Sequence, residues 1–168
     1  MRSAAGASSS SMTNKDLISY LHGDLFIPDL SAKNKDEAIQ KMVSHLVETK
    51  RIKDGSIVLE SLKTREKLGS TGIGKGVAIP HSRSTVTRSL TLLFARSEDG
   101  IDYDAIDEKP VHLVFMILAP HQERSNEYLP LLGKIVELTR DAGIRKKLLK
   151  AKDIEAIAEA ISDKARSK

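Results

Sequence analysis

The 168-residue chain has no cysteine, which excludes a disulfide scaffold, a thiol nucleophile and a cysteine-ligated zinc or iron–sulfur centre. It is 40% hydrophobic, enough for one self-supporting core, and no apolar run approaches the ~20 residues of a membrane helix. Its net charge of +4 is spread over 27 basic and 23 acidic residues, with 4% aromatics and no tryptophan, which reads as a mixed solvated surface and argues against nucleic-acid binding by base stacking.

The first twelve residues are small and serine-rich and lack the apolar stretch of a signal peptide, so residues 1–12 are expected to be a flexible tail and 13–168 the domain. Thr13-Asn14 predicts a helix start before Lys15–Leu21, and Leu25–Ile27 a short strand ending at Pro28. Apolar residues at helical spacing from Ala38 to Val47 predict a helix over Lys35–Thr49, capped by Ser31 or Asn34. A second helix is expected over Ser56–Leu68, then a glycine-rich loop from Gly69 to Gly76. Val77–Ile79, Leu90–Ala95 and Val111–Ala119 read as strands, separated in the last two cases by an acidic loop. The C-terminal third predicts helices over Tyr128–Thr139, Ile144–Leu149 and Ile154–Ser162, the last capped by Asp153. Near-continuous apolar strands need cover on both faces, so the expected fold is a single α/β domain with a mixed β-sheet sandwiched between helices.

Residues 69–83, GSTGIGKGVAIPHSR, hold the chemistry. Gly69 to Lys75 fits G-x-x-x-x-G-K, but Gly76 stands where a magnesium-binding hydroxyl belongs. A nucleotide loop also needs a strand before it and a helix after it, and here the order is reversed. Lys75 is then a solvated loop charge. In the second half, Pro80 fixes its own φ and keeps Ile79 extended, so His81 lies just past a strand end, where sites gather in α/β folds. Neutral imidazole is a nucleophile near pH 7 and can carry a phosphoryl group. Nearby glycines give backbone access, Ser82 a hydroxyl, and Arg65 and Arg83 positive charge. From these residues alone two readings of His81 stay open, a phosphoryl acceptor or a hydrogen-bonded structural histidine.

The run Arg65–Ser82, REKLGSTGIGKGVAIPHS, resembles the EIIA domain of the mannitol/fructose type in the phosphoenolpyruvate:sugar phosphotransferase system, a group that includes nitrogen-related regulatory proteins. KNKDEAIQKMV, GIDYDAIDEKPVHLVFMILAP and RKKLLKAKDIEAI extend the resemblance over residues 17–161. It implies a cytoplasmic phosphocarrier in which His81 accepts a phosphoryl group from phospho-HPr and passes it to an EIIB component, or signals as a regulatory EIIA. Arg65 matches the arginine that neutralises phosphate charge, and Gly74, Gly76 and Ser82 are the expected phosphate-binding positions. No cofactor, metal, nucleic acid or membrane insertion is implied.

Two departures are visible. Ser82 stands where the family usually has Gly, Ala or Cys. Glu127 stands, by position, where many members carry a second active-site histidine at the start of a helix. A carboxylate ~4 Å from a phosphoryl charge costs about 1 kcal/mol in water and about 4 at an effective dielectric of 20. Glu127 therefore reads as turned away, as protonated in the phospho-state, as offset by Arg65, as an orienter of His81, or as a first-turn glutamate favouring the helix dipole. His121 is close enough in sequence to stand in for the second histidine, and His112, in an apolar strand, reads as structural. The alternative function is a degenerate EIIA-like regulatory module that binds partners without relaying phosphate, with Glu127 as its only support.

Overall fold

A computed structural model describes residues 12–166. The expected tail lies outside them except for Met12, whose side chain is buried in the core.

The first helix among the described residues, α1 (Asn14–Ile18), is started by Thr13 through a reciprocal capping box with Asp16. A single 3₁₀ turn (Gly23–Leu25) leads into strand β1 (Phe26–Ile27). Helix α2 (Lys35–Glu48) is capped by Asn34, whose side chain accepts from the Glu37 amide at 2.9 Å. Helix α3 (Gly55–Lys67) is capped in the same way by Asp54. Then come strands β2 (Gly72–Gly74), β3 (Val77–Ala78), β4 (His81–Ser84), β5 (Thr91–Ile101) and β6 (Val111–Pro120). Helices α4 (Tyr128–Thr139), α5 (Ala142–Lys150) and α6 (Ile154–Arg166) close the fold. Asp153 accepts from the Ala156 amide at 2.9 Å, as its place before α6 predicts.

The sheet is mixed, in the order β1-β5-β6-β3-β2, with β4 also on β6. β6 is antiparallel to β5 and parallel to β3 and β4. Its alternation decides the layers. Leu113, Phe115, Ile117 and Ala119 face the core shared with α1, α4, α5 and α6, whereas Val114, Met116 and Leu118 face the core shared with α2 and α3. The sheet is thus covered on both faces, as its apolar strands require.

Two details around residues 69–84 differ from the sequence expectation. The glycine-rich segment is a hairpin rather than a loop: Gly74 pairs with Val77, and Lys75 and Gly76 turn between them with φ of 59° and 79°. Positive φ at both turn positions matches the twist of a two-residue hairpin and accounts for glycine at Gly76. His81 also does not sit beyond a strand end. Pro80 offers no N–H and interrupts the ladder for one step, but its carbonyl accepts from Ile117 at 2.9 Å, and β4 resumes along the same edge of β6. His81 opens that second strand.

Candidate active site

His81 stands opposite Ile117 at the start of β4. Its Nδ1 lies 2.7 Å from the Ile79 carbonyl oxygen, which can only accept, so Nδ1 carries the proton and donates. The lone pair is therefore on Nε2. Arg65, in the last turn of α3, donates from Nε toward that nitrogen at 3.4 Å, and its Nη1 donates to the Gly69 carbonyl at 2.9 Å. The guanidinium is thereby held over the imidazole by the end of its own helix.

Arg83 follows two residues on and shares the strand face of His81. Its guanidinium carbon sits 4.5 Å from the centre of the Tyr128 ring, and its Nη1 makes a long hydrogen bond, 3.4 Å, to the Pro120 carbonyl. The Tyr128 ring meets the His81 ring edge-on at 6.1 Å. These residues border an open cavity of about 730 Å³, with His121, exposed, on its rim. Apolar Leu68, 82% exposed, and Ile57, 45% exposed, lie along the same cavity.

The electrostatics favour a neutral histidine. Burial, chiefly, and then the positive charge of Arg65 hold His81 below its ordinary value; the Ile79 carbonyl and the charge of Glu66 oppose them without prevailing. Burial raises the Tyr128 hydroxyl, while Arg83 and Arg65 pull it down. Both guanidinium groups thus act at the mouth of the cavity.

Of the residues singled out in the sequence, Arg65, His81 and Ser82 come together here. Ser82 is buried, and its Oγ has no hydrogen-bond partner among the described residues.

Gly74 and Gly76 do not join them. The phosphate-binding expectation for this pair is corrected by their placement: Val77 is opposite Leu113 and His81 opposite Ile117, so the hairpin lies on the order of 13 Å down the strand. A Cβ at Gly74 would come within 3.3 Å of the Asp107 carboxylate, whereas one at Gly76 would meet His112 and the Pro110 carbonyl only at ordinary contact distance, 3.7 and 3.8 Å. Asp107 accepts from the Lys75 amide at 3.0 Å, and Lys75 itself is exposed.

Glu127 is likewise turned elsewhere. Its carboxylate accepts from the Tyr20 hydroxyl, and its amide donates to Glu123 at 2.9 Å. The side chain that α4 sets against His81 is Tyr128, one residue further on. His112, half-buried near the start of β6, is held by the Ser97 carbonyl at 2.8 Å, in keeping with a structural role.

Sequence reasoning missed Tyr128 and undervalued Arg83. A strand reading of residues 81–84 puts Arg83 beside His81, so that signal was present. Tyr128 carried none, because one step around a helix start changes which residue faces inward.

A model of the phosphoenolpyruvate-dependent sugar phosphotransferase system EIIA 2 family matches residues 19–164, and the chain belongs to that family. It is similar to a nitrogen regulatory protein of Bradyrhizobium diazoefficiens, 37% identical over 80% of this chain and 86% of that one. It is also 37% identical, over 80% of its length, to a fructose-specific EIIABC component of Bacillus subtilis, of which it spans only 21%. Among solved structures, the nitrogen regulatory protein IIA-Ntr of Neisseria meningitidis superposes with a TM-score of 0.77 at 31% identity, over 86% of this chain and 98% of that one.

Proposed function

We propose that the protein is a phosphocarrier in which His81 Nε2 takes a phosphoryl group from phospho-HPr and yields it to an EIIB component or a regulated protein. The observation that carries this is the commitment of Nδ1 to the Ile79 carbonyl, which leaves the lone pair of a neutral, half-buried imidazole on Nε2 at the cavity. Nε2 attacks phosphorus in line. The bond to Nε2 forms as the donor's phosphorus–nitrogen bond breaks. The proton stays on Nδ1, still donated to the Ile79 carbonyl, so the phosphorylated ring keeps the hydrogen bond that orients it. Arg65 leaves the occupied Nε2 and turns its N–H groups to the phosphoryl oxygens, with Arg83 as the second cation, because transfer of this kind is catalysed mainly by positioning and charge. The Ser82 hydroxyl, buried and on the opposite face of β4 from His81 and Arg83, would have to turn before it could donate to the phosphoryl group. The exposed apolar rim of Leu68 and Ile57 suits transient docking of donor and acceptor.

Relatives of matching length include nitrogen regulatory proteins and also a fructose-specific EIIA component of Haloferax volcanii, so the proposal takes in both a regulatory output and a sugar-transport relay. The reading as a degenerate module loses its support, since Glu127 is engaged by Tyr20 rather than facing His81. Incubation with phosphoenolpyruvate, enzyme I and HPr, followed by intact mass measurement, tests the proposal. The wild type is expected to gain one acid-labile phosphoryl group. No gain with its own HPr would sink both the relay and the regulatory readings.

A further inference from the structure

Directly behind His81 lies a buried polar cluster centred on Glu66, whose side chain is only 8% exposed. Lys35 Nζ reaches Glu66 Oε1 at 3.1 Å from the start of α2. The Thr71 amide donates to the same oxygen at 3.1 Å, and the Thr71 hydroxyl donates to Oε2. Tyr103, fully buried, places its hydroxyl 2.9 Å from Thr71 Oγ1 and 3.4 Å from Glu66 Oε2. Lys35 also sits 5.3 Å from the centre of the Tyr103 ring. One carboxylate thus joins α2, α3, the acidic loop and the segment leading into β2.

A buried acid is costly to retain unless it is fully paired, so its partners fix one geometry. That geometry is passed on. The Thr71 carbonyl accepts from the Ile79 amide at 2.9 Å, and the Ile79 carbonyl accepts from His81 Nδ1 at 2.7 Å. Glu66 is also the chain neighbour of Arg65, so the anchor that fixes the end of α3 fixes the guanidinium facing Nε2.

We propose that Glu66 is a positioning residue of this site: its buried carboxylate holds Thr71, and through Thr71 the Ile79 carbonyl, so that His81 keeps its proton on Nδ1 and its lone pair on Nε2 beneath Arg65. The proposal rests on reading His81 as the acceptor, but its structural core can be read without any transfer. The charged and titratable groups facing His81 are Arg65 and Glu66 from α3, Tyr128 from α4, Arg83 on β4 and His121 on the cavity rim. Among them Glu66 and the Ile79 carbonyl favour the imidazolium. Losing both moves the His81 midpoint down, whereas simple loosening of the fold moves it up, toward the exposed value.

The test is nitrogen-15 NMR of the imidazoles in wild type, Glu66→Gln, Thr71→Val and Thr71→Ser, with the rate of uptake from phospho-HPr measured alongside. Expected for Glu66→Gln is a folded protein with mixed His81 tautomers, a lowered midpoint and uptake slowed about tenfold, the usual scale for disturbing a group that orients a reacting one. Thr71→Val moves the same quantities in the same directions, and Thr71→Ser, which keeps the hydroxyl, restores wild-type values. A folded Glu66→Gln with the Nδ1–H tautomer intact overturns the proposal, even if its midpoint is lower, for Glu66 is then only a background charge. If Glu66→Gln does not fold, an unchanged tautomer in Thr71→Val overturns it. A wild type that takes up no phosphoryl group defeats the phosphocarrier reading instead, and the tautomer comparison still judges Glu66.

Discussion

One edge of β6 carries two neighbourhoods drawn from a single stretch of sequence. At one end the Gly72–Gly76 hairpin is backbone business: a tight turn, an aspartate accepting from Lys75, and glycines where a side chain would meet neighbouring atoms. At the other end, past Pro80, is a histidine with one nitrogen committed, one nitrogen free, and two guanidinium groups beside it. The glycines that look most like a phosphate cradle build the strand line. The side chains gathered around His81 at the cavity come from α3, β4 and α4. Glycine density in a sequence thus marks where backbone must bend or pack closely, and only sometimes where a ligand sits.

The difference between the two ends can be broken or sharpened by substitution. The largest effect is expected at His81: His81→Ala should take up no phosphoryl group by intact mass, and a gain that survives would move the acceptor elsewhere. Next, Arg65→Gln should slow uptake by about 10²- to 10³-fold, the usual cost of losing one charged donor to a developing anion. Lys75→Gln, at the hairpin, should leave the rate at the wild-type value; comparable losses in the two variants would erase the contrast. Arg83→Gln should cost about tenfold, and Glu127→Gln nothing measurable in the same stopped-flow assay, since only the former borders the cavity. Gly76→Ala should lower stability to urea by about 1–2 kcal/mol, because its φ of 79° is left-handed, yet leave the uptake rate of the folded protein unchanged.

The smallest expected effect is the pH dependence of stability. His81 titrates below its ordinary 6.5 in the fold, so the unfolded chain binds the proton first as pH falls. The histidine's contribution is complete above about pH 6.5 and is lost as pH falls through that value toward the lower folded midpoint. Thermal melts of wild type and His81→Gln should therefore keep a constant difference above neutrality, with the wild type losing ground to the variant on acidification. A difference that does not change with pH would contradict a depressed His81.

Helix existence was legible in the sequence wherever apolar spacing was long and a capping residue preceded it, as at Asn34 before α2 and Asp153 before α6. The apolar runs of β5 and β6 implied cover on both faces, which is what the two cores provide. Less legible was everything decided across chain distance. Pro80 signals a break, but whether the chain leaves the sheet or resumes beside β6 depends on a partner strand more than thirty residues away. Glu127 and Tyr128 are neighbours in sequence, and the packing of α1 and α4 alone turns one to Tyr20 and the other to His81.

The sequence by itself determined the helices and the longer strands, the family to which the chain belongs, and His81 with Arg65 as the pair worth testing, because those follow from local periodicity, caps and a contiguous motif. Only the tertiary structure decided which imidazole nitrogen is bound to the Ile79 carbonyl and which faces Arg65, that Arg83 and Tyr128 border the same cavity, and that Gly74 and Gly76 lie apart from it. Hydrogen-bond direction and side-chain facing are fixed by contacts between distant segments, and no local pattern encodes them.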